Sequence, residues 1–116
     1  MNPSKAFLAA ALLASCAWLP GQAQAGPKVI AIAAKRFEYS PKEVRLKKGE
    51  TVTLVLTSGD VTHGFLCRPL KIDSDIPPNQ ETRVTVTPDK TGEFVAICNH
   101  FCGSGHGNMK MKIIVE

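Results

Sequence analysis

An all-β fold, either a β-sandwich or a Greek-key barrel, is what this sequence predicts. Two observations carry that prediction. Short stretches alternate apolar and polar residues with a period of two, and clusters of Gly, Pro, Asn and Asp separate them. After the first 25 or so residues, no window long enough for a helix carries a helical stripe. The 116-residue chain is 44% apolar and 21% charged, the balance of a folded domain rather than a disordered one. Its length admits one domain, or a smaller one behind a leader, and excludes multidomain architectures.

The leader comes first. Lys5 supplies a positive start, Ala6 to Leu19 is apolar apart from Ser15, and Pro20-Gly21 breaks the run. Ala23-Gln24-Ala25 then places small residues where a signal peptidase reads them, so residues 1–25 are expected to be a secretory signal peptide. The apolar run is shorter than the ~20 residues a membrane-crossing helix needs. Leu13-Ala14-Ser15-Cys16 also resembles a bacterial lipobox, and processing there would leave Cys16 lipidated. The expected compartment is the periplasm, with any membrane contact made through such an anchor at Cys16. Removing residues 1–25 leaves a small domain, 26–116, with a modest core that a bound metal or a crosslink would support.

Within that body, Val29 to Ala33 is the first strand candidate. Thr51 to Thr57 places Val52, Leu54 and Leu56 on one face, and Thr82 to Thr87 does the same with Val84 and Val86. Phe94 to Cys98 and Met111 to Val115 complete the set. Lys48-Gly49-Glu50, Ser58-Gly59-Asp60, Ile76-Pro77-Pro78-Asn79 and Pro88 to Gly92 are the turns between them.

The chemistry is concentrated between the last two strands. Cys98-Asn99-His100-Phe101-Cys102-Gly103-Ser104-Gly105-His106-Gly107-Asn108-Met109 holds two Cys, two His and a Met in one loop. Thiolate, imidazole and thioether together suit copper, whereas zinc is more often offered four Cys or His ligands. A further imidazole, His63, follows an earlier strand in Asp60-Val61-Thr62-His63-Gly64-Phe65.

A His after one strand and a Cys/His/Met loop before the last is the layout of cupredoxins. The spacing Cys-x3-Cys-x3-His-x2-Met resembles the binuclear copper A site of cytochrome c oxidase subunit II and nitrous-oxide reductase. The resemblance runs from about Phe37 to Glu116 and includes Asp60-Val61-Thr62-His63. It implies a cupredoxin-like Greek-key sandwich or barrel holding two copper ions. Cys98 and Cys102 would be bridging thiolates, and His63 and His106 the terminal imidazoles. Met109 and the backbone carbonyl of His100 would be the weak ligands. It implies a one-electron carrier rather than a bond-making enzyme, and a redox partner such as a cytochrome c or a respiratory oxidase. The chain departs from the family in carrying His100 where subunit II usually has an acidic residue. Its aromatic-rich electron-entry segment is reduced to Phe37 and Tyr39, and it has neither the paired transmembrane helices nor the reductase's propeller. It therefore resembles a free-standing copper A domain, expected to act as a monomer.

Other readings compete. A copper-delivery protein for a respiratory enzyme would explain the spare Cys67 and His100, and a mononuclear cupredoxin would need Cys102 without Cys98. Cys98 and Cys102 are also spaced for a structural disulfide, as in oxidising compartments. Cys67 reads as a small buried hydrophobe and Met111 as core. Phe65 and Phe101 either pack beside the metal or belong to the core. Lys35-Arg36 and Lys47-Lys48 read as a solvated face. No acid–base constellation of an enzyme is evident. Lys and Arg are scattered among acids, which argues against nucleic acid.

Overall fold

The computed structural model describes residues 28–116. The expected cleavage after Ala25 and the alternative lipid attachment at Cys16 lie outside these residues. Strands follow one another as β1 (Lys28–Lys35), β2 (Glu38–Ser40), β3 (Glu43–Leu46), β4 (Val52–Ser58) and β5 (His63–Cys67), then β6 (Ile72–Ile76), β7 (Thr82–Val86), β8 (Gly92–Ile97) and β9 (Lys110–Val115). Single turns of 3-10 helix at Arg68–Leu70 and His106–Asn108 are the helical elements among the described residues.

These strands form a sandwich. One sheet has the order β2-β1-β4-β7 and the other β3-β9-β8-β5-β6. Strands β1 and β4 run parallel, as do β3 and β9, and the remaining pairs are antiparallel. A parallel neighbour cannot be reached by a hairpin, so each parallel pair marks a chain crossing between the sheets.

The period-two pattern explains which faces meet. Val52, Leu54 and Leu56 of β4 point inward with Ile32 and Ala34 of β1, against Phe65, Ile72, Ile76, Met111, Ile113 and Val115 of the other sheet. Burying a side chain of this size fully contributes ~1.5–3 kcal/mol. Met111 lies in this core, as its alternation predicts, and Cys67 is buried there too, where burial raises its thiol pKa. Tyr39 and Phe65 meet edge to face, with centroids 5.4 Å apart.

One end of the sandwich gathers the ends of several strands. Ile97 at the close of β8 pairs with Leu66 of β5 and with Lys110 at the start of β9. The register therefore brings His63, which opens β5, beside the segment that joins β8 to β9. The hairpin turn between β1 and β2, Arg36-Phe37, reaches the same end, where both of its residues contact the β8–β9 segment.

A candidate metal centre at one end of the sandwich

The neck of the β8–β9 loop closes where Cys98 N–H donates to the Met109 carbonyl at 3.2 Å. Within the loop, His106 N–H donates to the Gly103 carbonyl and Met109 N–H to that of His106, which folds the chain back on itself. The fold turns Cys98, Cys102 and Met109 inward, all buried, while His100 and Phe101 stay exposed.

The donor atoms converge. Cys98 Sγ and Cys102 Sγ are 3.6 Å apart, far beyond the ~2.05 Å of a disulfide, so both cysteines are free thiols. His106 Nδ1 is 3.7 Å from Cys102 Sγ, and Met109 Sδ is 3.8 Å from the same sulfur. The Cys98 thiol donates to the His100 carbonyl at 3.1 Å. One ring nitrogen of His63 and the two sulfurs all lie within 4.8 Å of one another.

His63 supplies the most telling detail. Its side chain is fully buried. Nε2 meets Asp60 Oδ1 at 2.7 Å, but Nδ1 has no hydrogen-bond partner. An unpartnered buried nitrogen is costly unless something else occupies its lone pair. Together with two thiols and a thioether, it is a donor set that fits copper.

Neighbouring groups hold this geometry. Asp60 Oδ2 accepts from Arg36 N–H at 2.7 Å, and Oδ1 accepts from Val61 N–H at 2.7 Å. Partial burial opposes ionisation of Asp60, but these amides and His63 outweigh it and hold the carboxyl down at about 2. A carboxylate behind an imidazole sets which ring nitrogen faces the site. Gly64 N–H donates to Cys98 Sγ at 3.3 Å, and Tyr39 O–H donates to the Gly64 carbonyl at 2.5 Å. A side chain at Gly64 would have its Cβ 2.0 Å from Asn99 Oδ1 and 2.8 Å from His100 N, so the close approach of β5 to the loop requires glycine. Burial pushes the Cys102 thiol up to about 11, helped by the adjacent Cys98.

All six positions singled out by sequence come to this end of the molecule. Two sequence expectations need narrowing. Phe101 is 75% exposed and so is not core; the loop turns its ring outward, where it pairs with the ring of the candidate ligand His106 at 5.7 Å. Arg36 is not simply part of a solvated face, since its Nε donates to the Cys102 carbonyl at 2.8 Å. The roles of Asp60 and Gly64 were invisible in sequence as well, although Asp60 stands three residues before His63, within reach of its ring across a turn.

The sequence profile of the cupredoxin-like domain family matches residues 6–115. The chain belongs to this family. Nitrous-oxide reductase of Ralstonia nicotianae is 38% identical over 101 residues, covering 83% of this chain and 16% of the reductase. Cytochrome c oxidase subunit 2 of Thermus thermophilus is 35% identical over 101 residues, covering 84% of this chain and 75% of the subunit. The cupredoxin-like chain thus spans most of that subunit but only a small part of the reductase. Among solved structures, a heme-copper terminal oxidase dimer contains a chain that superposes with a TM-score of 0.71 at 27% identity, over 80% of this chain and 67% of that one. No helix among the described residues is long and apolar enough to cross a membrane.

Proposed function

We propose that this cupredoxin-like domain is a periplasmic one-electron carrier with a binuclear copper A centre. Cys98 and Cys102 would hold the copper through their thiolates, and His63 and His106 through Nδ1 of each imidazole. Met109 Sδ and the His100 carbonyl would supply weak ligands. The observation that carries this reading is the unpartnered, buried Nδ1 of His63 beside two unbonded sulfurs 3.6 Å apart. A sulfur separation of 3.6 Å fits a single tetrahedral ion as well as a shared pair. The choice of a pair rests on the Cys-x3-Cys-x3-His-x2-Met spacing and on the likeness to nitrous-oxide reductase and cytochrome c oxidase subunit 2.

A copper pair, when bound, supplies reversible storage of one electron. The chain's own residues do the rest. Asp60 fixes the His63 ring, and Gly64 N–H offers Cys98 Sγ a hydrogen bond that stabilises a thiolate. Strand β5 carries His63, and hydrogen bonds from Gly64 N–H and Arg36 Nε hold the β8–β9 loop with the other donors beside it. No bond-making step is assigned to the site. Its electron partner is a redox protein such as a cytochrome c or a respiratory oxidase.

Copper analysis and EPR of the loaded protein test this reading. Two coppers per chain, with one spin split by two equivalent copper nuclei, is the expected result. One copper, with splitting from a single nucleus, would replace it with a mononuclear site. EPR-silent copper that passes readily to an apo-acceptor would replace it with copper delivery.

A further inference from the structure

Arg36 sits in the two-residue turn between β1 and β2, distant in sequence from every candidate ligand. Its backbone N–H holds Asp60 Oδ2 at 2.7 Å, and Asp60 Oδ1 in turn holds His63 Nε2 at 2.7 Å. Its side chain makes a second contact, with Nε donating to the Cys102 carbonyl at 2.8 Å. A single residue therefore touches both ligand-bearing segments, the turn before β5 and the β8–β9 loop.

The next residue reinforces the grip. A Cβ added at Gly103 would lie 2.9 Å from Phe37 Cε1 and Cζ, and one added at Gly105 would lie 2.5 Å from Phe37 Cδ2. The ring is thus seated against the backbone of the loop, in space that only glycine leaves open. Gly103 has φ +139°, which independently disfavours any other residue there. Gly103 and Gly105 thus admit this ring against the loop.

We propose that Arg36 is a positioning residue of the metal centre, holding the thiol of Cys102 in register with the imidazole of His63 before any metal arrives. The proposal rests on the copper reading only for its metal-bound consequences. In the metal-free protein the clamp restrains the loop by itself. Replacing the side chain removes the arm to Cys102 but keeps the backbone arm to Asp60, so the hairpin and its link to His63 survive.

The test compares Arg36→Leu and Arg36→Lys with the wild type. In the metal-free protein, alkylation of Cys102 by iodoacetamide is followed by mass spectrometry, with buried Cys67 as an internal control for global opening. Arg36→Leu is expected to speed Cys102 alkylation about tenfold, the factor for losing one hydrogen bond of ordinary strength, and to leave Cys67 unchanged. Arg36→Lys, which keeps a donor on a long side chain, should recover part of the protection. After copper loading, Arg36→Leu should release copper to a chelator about tenfold faster and shift the visible spectrum. An unchanged Cys102 rate, or equal acceleration at Cys67 and Cys102, overturns the positioning role. If the wild type takes up no copper, the functional reading fails and the alkylation result alone decides the role of Arg36. If the wild type binds copper normally and neither readout moves in Arg36→Leu, the proposal for Arg36 fails alone.

Discussion

At the scale of single residues, the site depends on groups that offer no metal ligand. Gly64 is the sharpest case, because it combines a donated hydrogen bond to Cys98 with a backbone approach that excludes any side chain. The Asn99 side chain can rotate away from a new methyl group, but the His100 backbone nitrogen cannot. Gly64→Ala is therefore expected to destabilise the metal-free protein by about 1–3 kcal/mol in urea unfolding, the usual cost of overpacking. An unfolding midpoint equal to that of the wild type would show that the loop can retreat from β5 at no cost. Such pairings are hidden from sequence reasoning because the partners are far apart along the chain. Arg36 is 24 residues from Asp60 and 66 from Cys102. A lone basic residue in a turn carries no mark of such contacts.

At the scale of elements, alternation along a strand sorts what matters to the fold from what does not. Leu54 of β4 is fully buried between the sheets, and Leu54→Ala should cost about 2–5 kcal/mol. Val95 of β8 is 51% exposed on the outer face, and Val95→Thr should stay within about 0.5 kcal/mol. Chemical denaturation of both variants checks the pair, and equal losses would contradict the assigned faces. Strands β4, β7 and β9 were legible in sequence from their alternation, and β1 and β8 as short apolar runs between turns; β6 was not, its Ile76 having been read into the following turn. Strands β2 and β3 were not, being three and four residues long. Strand β5 was hidden for another reason. His63–Cys67 is buried at every position, its apolar run is only Phe65-Leu66-Cys67, and its first residue reads as chemistry rather than structure.

At the scale of the whole molecule, the buried thiol and phenol near the site tie global stability to pH. Burial, with the neighbouring Cys98, lifts Cys102 from 9.0 to about 11. Burial first, and then Cys98, pushes the Tyr39 phenol well above its ordinary 10.0. In each case the folded state keeps a proton that the unfolded chain releases. The native state thus binds more protons than the unfolded one above pH 9, and stability must fall there as pH rises. The metal-free protein should hold its full contribution from these groups below pH 9 and lose it progressively from pH 9 to 11 and beyond. Urea unfolding across that range checks this, with Tyr39→Phe expected to flatten the upper part of the decline. A stability independent of pH from 8 to 11 would show that neither group is shielded as the fold requires.

The amino-acid sequence alone determined the fold class and pointed to the candidate donor residues. Both are local in character: the period of two reports which face of a strand is buried, and Cys98, Cys102, His106 and Met109 lie within one short loop. The match to the cupredoxin-like family bears out the fold class and the family resemblance read from those residues. Tertiary structure alone decided how His63 meets that loop, which of its ring nitrogens is left unpartnered, and that a β1–β2 turn braces both segments. Those facts come from strand register and from the packing of one sheet end. They are set by contacts between residues remote in sequence, which no local pattern encodes.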